Sequence, residues 1–381
     1  MRLALLTHKV DVNDGQGRVN YEIVLGALGR GHHVTVVAEY CSETISSHPN
    51  AVFVQMRKRP VPTQLLRNLY YAVKSTMWLR KHRVEFDLVQ ANGFVTWGRA
   101  DIVAVHYVHL AWMRSAYFPF RWSSLRPYHA YQILLTWING HFERRVYRQA
   151  RMVIAVSAFT ASEVIGLGIP AEKVRVIHNG VSTDDFCPGL SVRDAFLLPE
   201  GLVGLFVGDI KTSRKNLDAV LKAMCEVPEM HLAVAGALEG SPYPEIVRNM
   251  GLTDRVTFTG KTTRMADLMR SVDFFVFPSH YEAHPLVILE AMASGLPVVV
   301  SRNFGAADYV GDGGLVYGDS WDVAALVVAL QQIARDPQLR TAMAAEARRL
   351  SLSMNWTRTA DAYLDVYDEL FKANAGRRDS A

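Results

Sequence analysis

The segment 279–301, SHYEAHPLVILEAMASGLPVVVS, holds two carboxylates, Glu282 and Glu290, with seven residues between them. An apolar run, FFVF, precedes it at 274–277. Pro285 stands where a helix should start and Gly295 where it should end, so the segment reads as strand, turn, helix, strand. The helix start at Pro285, Leu286 and Val287 offers backbone N–H groups and a positive dipole end, both of which favour a phosphate. Glu290 follows the apolar run LVIL, and a carboxylate in such surroundings needs a hydrogen-bond donor. One short segment therefore presents an anion site flanked by two acceptors for sugar hydroxyls.

Three further clusters have the right residue types. The stretch 208–216, GDIKTSRKN, follows the apolar run GLFV and brings Lys211, Arg214 and Lys215 to a strand end, where ligands of parallel sheets bind. Asp209 in the same loop would repel an anion at close range, so either Lys211 or Arg214 does the clamping or Asp209 points away. Near the start, Asp14-Gly15-Gln16-Gly17-Arg18 precedes a helix, and a glycine turn there lets backbone N–H groups approach a phosphate or sugar. His106 ends the apolar run IVAV, with His109 three residues on. No Asp-x-Asp pair of the kind that holds Mg²⁺ occurs, which predicts chemistry without a metal or other cofactor.

The elements that must position these groups follow from apolar periodicity. Short apolar runs at 3–7, 33–38, 87–90, 102–105, 152–156 and 174–177 alternate with helical stretches, and a second series runs through 204–207, 232–235, 256–259, 274–277 and 297–301. Strands apolar on both faces and separated by helices predict parallel sheets covered on both sides. The pattern breaks at 186–201, which carries Pro188 and Pro199. We expect α/β architecture with two doubly wound domains, 1–186 and 202–356, joined by a linker at 187–201. A helix at about 357–373 packs back on the first domain, and the two sheets face an interdomain cleft. The chain has 381 residues, half of them hydrophobic, and three cysteines without a Cys-x-x-Cys pair, which excludes disordered, disulfide-framework and zinc-ribbon classes. No apolar run is long enough for a signal peptide or a spanning helix, so a cytoplasmic protein is expected.

The segment from Glu282 to Glu290 resembles the Glu-x7-Glu motif of the retaining GT4-type glycosyltransferases of GT-B fold, and EAMASGLPVV extends the likeness. So does VRVIHNGVSTDDF at 174–186, similar to the family's IxNGVD segment with Ser182 in place of Asp. The resemblance implies two Rossmann-like domains and transfer of a sugar from a nucleotide-sugar donor to a saccharide or lipid-linked acceptor in glycan biosynthesis. It implies that Glu282 meets the donor sugar, Glu290 the ribose, and His106 the sugar region. It also implies that Lys215 and Arg214 clamp the diphosphate, where Asp209 occupies the family's Arg position and Ala283-His284-Pro285 replaces Gly-Phe-Gly. Gly17, Gly208 and Lys261 complete the donor side; Arg18, His109 and Arg114 are candidates on the acceptor side.

Residues 1–186 carry 22 Lys and Arg against 13 Asp and Glu, and the remainder 19 against 24. No acid occurs from 44 to 84, where Arg57, Lys58, Arg59, Arg67, Lys74, Arg80, Lys81 and Arg83 alternate with apolar residues at helical spacing. That pattern fits an anionic membrane surface bound through 57–83, against the plainer reading of a core helix. No nucleic-acid motif is present. Two alternatives stand beside the transferase. One is an NAD-dependent oxidoreductase using Gly15, Gly17 and Glu39, although seven residues, His8 to Asp14, separate strand and glycine where a dehydrogenase turn is tighter, and the third glycine is missing. The other is a GT-B partner subunit that has lost turnover.

Overall fold

The computed structural model describes residues 1–57, 60–123 and 126–378, the side chains of 307 and 375–378 excepted. Lys58 and Arg59 of the basic stretch lie outside the described residues. The chain folds into two compact units, one formed by Met1–Asn179 with Trp356–Ala381 and the other by Gly180–Asn355.

The first unit is built on a seven-stranded sheet: β1 (Arg2–Leu6), β2 (His33–Ala38), β3 (Ala51–Gln55), β4 (Leu88–Asn92), β5 (Ile102–Val105), β6 (Met152–Ala155) and β7 (Val174–Val176). Their order is β3-β2-β1-β4-β5-β6-β7 and every pairing is parallel. The order reverses between β1 and β4, which places a topological switch point beyond their carboxyl ends. Helix α1 (Gly15–Gly29) follows β1, α2 (Gln64–His82) leads into β4, and α3 (His109–Arg114) and α4 (Pro127–Gln149) follow β5. The first helix starts earlier than its apolar pattern suggests, because Asp14 caps it by accepting from Gly17 N at 2.8 Å.

The second unit repeats the logic with six parallel strands: β8 (Leu202–Val207), β9 (Met230–Ala235), β10 (Val256–Gly260), β11 (Phe274–Phe277), β12 (Val298–Ser301) and β13 (Gly314–Tyr317), in the order β10-β9-β8-β11-β12-β13. Alternation along β11 sends Phe274 and Val276 into one apolar layer and Phe275 and Phe277 into the other, so both faces are dry. Each buried phenylalanine stabilises the fold by roughly 1.5–3 kcal/mol. The switch point here lies between β8 and β11. Helix α5 (Leu286–Ala293) follows β11, with Pro285 extended at its N-cap and Gly295 at φ +78° just past its end.

One difference from the sequence reading concerns a boundary. Residues 180–201, assigned to the first domain and a linker, pack on the second unit. Arg348 donates to the carbonyls of Thr183 and Phe186, Arg270 to those of Asp185 and Cys187, and Arg193 pairs with Asp273 at 2.8 Å. The final helix, α6 (Trp356–Arg378), joins the first unit. A Cβ on Gly26 would lie 2.9 Å from Ala360 Cβ, and Tyr367 OH donates to Gln90 Oε1 at 2.6 Å inside the core. The strands β3, AVFVQ, and β13, GLVY, both half-exposed edges of their sheets, are missing from the apolar series of the sequence reading.

Candidate active site

In the second unit, the loops leaving β8 and β11 at the switch point interlock. Glu282 Oε1 accepts from Lys215 Nζ at 2.6 Å, Arg214 Nη1 at 2.7 Å and Ser279 Oγ at 3.3 Å. The backbone ties the two loops as well: His280 N donates to Arg214 O at 3.0 Å, and Arg214 Nη1 donates to Tyr281 O at 3.2 Å. Asn216, held at φ +61°, donates through its amide to Pro278 O and Ser320 O. Both cations of the sequence-predicted clamp thus sit on one carboxylate oxygen at the strand ends.

Burial pulls the Lys215 pKa down and Arg214 adds to this, while Glu282 holds it up. The ammonium lies 4.8 Å from the Phe277 ring centroid. The Lys215 stem crosses the strand end because residue 208 is glycine: a Cβ there would lie 3.0 Å from Lys215 Cγ. Asp209, the apparent misfit, is exposed and turns onto its own loop, accepting from Lys211 N at 2.9 Å and Thr212 Oγ1 at 3.4 Å. This Asx turn takes up its oxygens locally, which is the alternative in which Asp209 points away.

Pro285, Leu286 and Val287 stand at the start of α5, and no side chain of the described residues caps that turn. Glu290 is half-buried one turn further on. The buried His284 ring stacks on Tyr309 at 4.8 Å, so the departure from Gly-Phe-Gly fills space with an aromatic pair. Lys261 is exposed at the carboxyl end of the edge strand β10, two strands away from β8. It stands apart from the Lys215 cluster.

In the first unit, His106 follows β5 and its Nε2 is buried with no hydrogen-bond partner among the described residues. Burial pushes its pKa down to about 4, so the ring is neutral at physiological pH. His109 opens α3 and faces Glu143 of α4: the Nδ1–Oε1 distance is 2.7 Å, and His109 N donates to Oε2 at 3.1 Å. Burial alone would lower the His109 pKa, but the charge and hydrogen bond of Glu143 outweigh it and raise it. Glu143 escaped the sequence reading, although it is the single acid between 102 and 162. Arg114 is exposed at the end of α3. Arg18 pairs with Glu22 at 2.7 Å and lies over the Trp356 ring, both of them internal contacts of this unit. Gly17 is inside the first turn of α1, and its N–H is taken by Asp14. The Gly17 N–H is thus committed to the helix cap. A Cβ at 17 would meet Asp11 O at 3.0 Å, which explains the glycine without a ligand.

The buried face of α2 is Tyr71, Ala72, Ser75, Thr76 and Leu79, whereas Leu66, Val73 and Met77 are exposed beside Lys74, Arg80 and Lys81. Arg83 turns inward to Asp101 at 2.8 Å. The helix therefore has a core face and a separate apolar outer stripe. No described helix is long and apolar enough to cross a membrane, and no metal-ligand cluster occurs among the described residues.

Residues 13–185 match the family model described as Glycosyltransferase Family 4, and residues 195–350 that of Glycosyl transferases group 1. The chain is 34% identical over 249 residues to D-inositol 3-phosphate glycosyltransferase 2 of Catenulispora acidiphila, covering 59% of this chain and 57% of that protein. The Mycobacterium leprae D-inositol 3-phosphate glycosyltransferase is 34% identical over 244 residues, 59% of this chain and 56% of its own length. The chain thus spans little more than half the length of these curated relatives. Among solved structures, WaaG, a glycosyltransferase involved in lipopolysaccharide biosynthesis, superposes with a TM-score of 0.75 at 19% identity over 96% of this chain and 99% of WaaG. Anabaena HepE in complex with UDP and glucose gives 0.70 at 18% identity over 97% and 99%.

Proposed function

Because the chain belongs to the GT4-type glycosyltransferases of GT-B fold, we propose that it moves a sugar from a nucleotide-diphosphate donor to a saccharide or lipid-linked acceptor in glycan biosynthesis, with retention and without a metal. The observation that carries this reading is the Lys215–Glu282–Arg214 cluster at the switch point of the second unit. A diphosphate placed there meets an ammonium and a guanidinium whose positions Glu282 fixes beforehand, and the uncapped start of α5 adds backbone N–H groups. These donors would meet the charge that develops on the leaving phosphate, which is the stabilisation a metal supplies elsewhere. The HepE structures in complex with UDP, with UDP and glucose, and with UDP-glucose support a uridine-diphosphate sugar as the first donor to test. With Asp209 turned onto its own loop, its oxygens accept from Lys211 N and Thr212 Oγ1, while its charge still acts on Lys215. That weakens the main reason to read the chain as an inactive partner subunit.

In the first unit, neutral His106 serves as a hydrogen-bonding group toward the donor sugar, and the His109–Glu143 pair fixes the loop beside it. The long turn before Gly15, the missing third glycine and the Gly17 N–H committed to Asp14 disfavour the NAD reading. The outer stripe of α2 supports peripheral contact with an anionic membrane. The test is transfer from UDP-glucose, with GDP- and ADP-sugars in parallel, followed by anomeric analysis of the product and repeated in excess EDTA. Retention with EDTA-insensitive turnover is expected; an inverted anomer, or loss of turnover in EDTA, overturns the retaining or the metal-independent part respectively.

A further inference from the structure

Asp87, Asp101 and Arg151 stand directly before β4, β5 and β6, at the amino ends of three neighbouring strands. An open cavity of about 540 Å³ lies there, lined by these residues together with Arg80, Arg83 and Arg99. His106 follows the carboxyl end of β5, so the cavity occupies the opposite end of the sheet from the candidate sugar site. Three observations set it apart. First, four arginines meet two aspartates, and the aspartates are already engaged. Asp101 Oδ2 accepts from Val89 N at 2.9 Å and from Arg83 Nη2 at 2.8 Å, and Asp87 Oδ2 accepts from Arg2 N at 2.7 Å. Arg80 and Arg99 are exposed, and no carboxylate among the described residues pairs with either. Second, the loop that carries Arg99 is fastened to the helix that carries Arg80. The buried Ser75 hydroxyl donates to Val95 O, and Trp97 N donates to Thr76 Oγ1 at 2.8 Å. Residue 98 must be small, since a Cβ there would lie 2.8 Å from Leu79 Cδ2. Third, the other two guanidiniums are held in place. Arg83 donates to Phe86 O at 2.9 Å, and Arg151 reaches α6, donating to Asn374 Oδ1 at 2.8 Å and Leu370 O at 3.3 Å.

We propose that this cavity is a second anion site, which takes the polyphosphate group of a soluble ligand between Arg80 and Arg99. Guanidinium forks match phosphate oxygens two at a time, and the gain is largest where the forks are positioned beforehand. The excess of two positive charges in one concavity calls for an anion of at least two charges. Arg83 and Arg151, tied to Asp101 and to backbone carbonyls, form a fixed positive wall behind the two exposed arginines. Leu79 and Phe86 also line the cavity, so a polyphosphate that carries a base fits as well as an inorganic one. The site is independent of the transferase reading, because none of its residues belongs to the Lys215 cluster or to the His106 loop.

The experiment is calorimetric titration of inorganic tripolyphosphate, and separately of ATP, into the full chain and into four variants. R80Q and R99Q remove the two exposed guanidiniums and disturb no internal contact of the described residues. K74Q removes an exposed cation of the same helix outside the cavity, and K215A removes the proposed donor clamp. Tripolyphosphate or ATP should bind the wild type, R80Q and R99Q should each weaken that binding about tenfold, and K74Q and K215A should leave it unchanged. Binding of tripolyphosphate shows that the inorganic group suffices, and binding of ATP alone shows that the nucleoside is read too; either supports the site. Absence of binding by both probes, or full affinity in both R80Q and R99Q, overturns it. An equal loss in K74Q overturns it as well, since that is the mark of loose counter-ion attraction. Binding lost only in K215A places the anion at the donor clamp, which overturns the second site and leaves the transferase reading standing.

Discussion

At Glu282 a single oxygen receives an ammonium, a guanidinium and a hydroxyl, and this decides what a substitution there should do. Glu282→Gln keeps the size but leaves Lys215 buried without its counter-charge, so donor affinity and stability should fall together. Glu290 is different. It is half-buried beyond the uncapped turn, and Glu290→Gln should weaken nucleoside diphosphate binding by about 1–3 kcal/mol in calorimetry while the fold persists. His106 tests burial. Its folded pKa of about 4 is below the ordinary value, so protonating the unfolded chain costs stability as pH falls from about 6.5 toward 4. His106→Gln should flatten that acid arm in chemical denaturation and lower transfer, with the affinity for bare nucleotide nearly unchanged. His109 runs the other way. Its raised pKa makes the pair with Glu143 stabilising below the ordinary histidine value, and this contribution fades as pH rises through the folded value. Glu143→Gln should therefore cost more stability at pH 6 than at pH 9.

Elements decide which of these residues can be read from sequence. The β11–α5–β12 unit is legible because FFVF and PVVVS are short, apolar and punctuated by Pro285 and Gly295, so the relative placement of Glu282 and Glu290 follows from spacing alone. The edge strands β3, AVFVQ, and β13, GLVY, carry short apolar runs as well, but as half-exposed edges they lack the two dry faces that mark the central strands. The Lys215–Glu282 contact spans 67 positions and depends on β8 and β11 being neighbours, which only the crossover order supplies. The glycine turn is ambiguous in sequence, since a capping aspartate and a phosphate-binding loop share the same residue types; the structure shows the cap. Gly208 belongs at this scale too. Gly208→Ala should displace the Lys215 stem by a few tenths of an ångström and weaken donor binding without unfolding the sheet. The outer stripe of α2 predicts sedimentation with anionic vesicles and not with neutral ones, weakened by salt because the attraction is screened over about 8 Å at physiological ionic strength. Equal sedimentation with both vesicle types would make the stripe an ordinary exposed face.

Over the whole molecule, charge divides with the fold. The first unit carries 26 basic against 16 acidic side chains, a net of +10, and the second 15 against 21, a net of −6. The negative unit nevertheless holds the proposed diphosphate site, so binding there rests on the local cations and not on the net field. A basic first unit suits an anionic acceptor or surface. The central claim is that Lys215, beside Arg214 and Glu282, holds the donor diphosphate. It is tested most directly by calorimetric titration of UDP, GDP and ADP into the wild-type chain and Lys215→Ala. One of the three should bind the wild type, and Lys215→Ala should bind that nucleotide at least about tenfold more weakly, as expected for a charge-assisted hydrogen bond. Equal affinity in the two proteins, with the variant folded, would contradict the account.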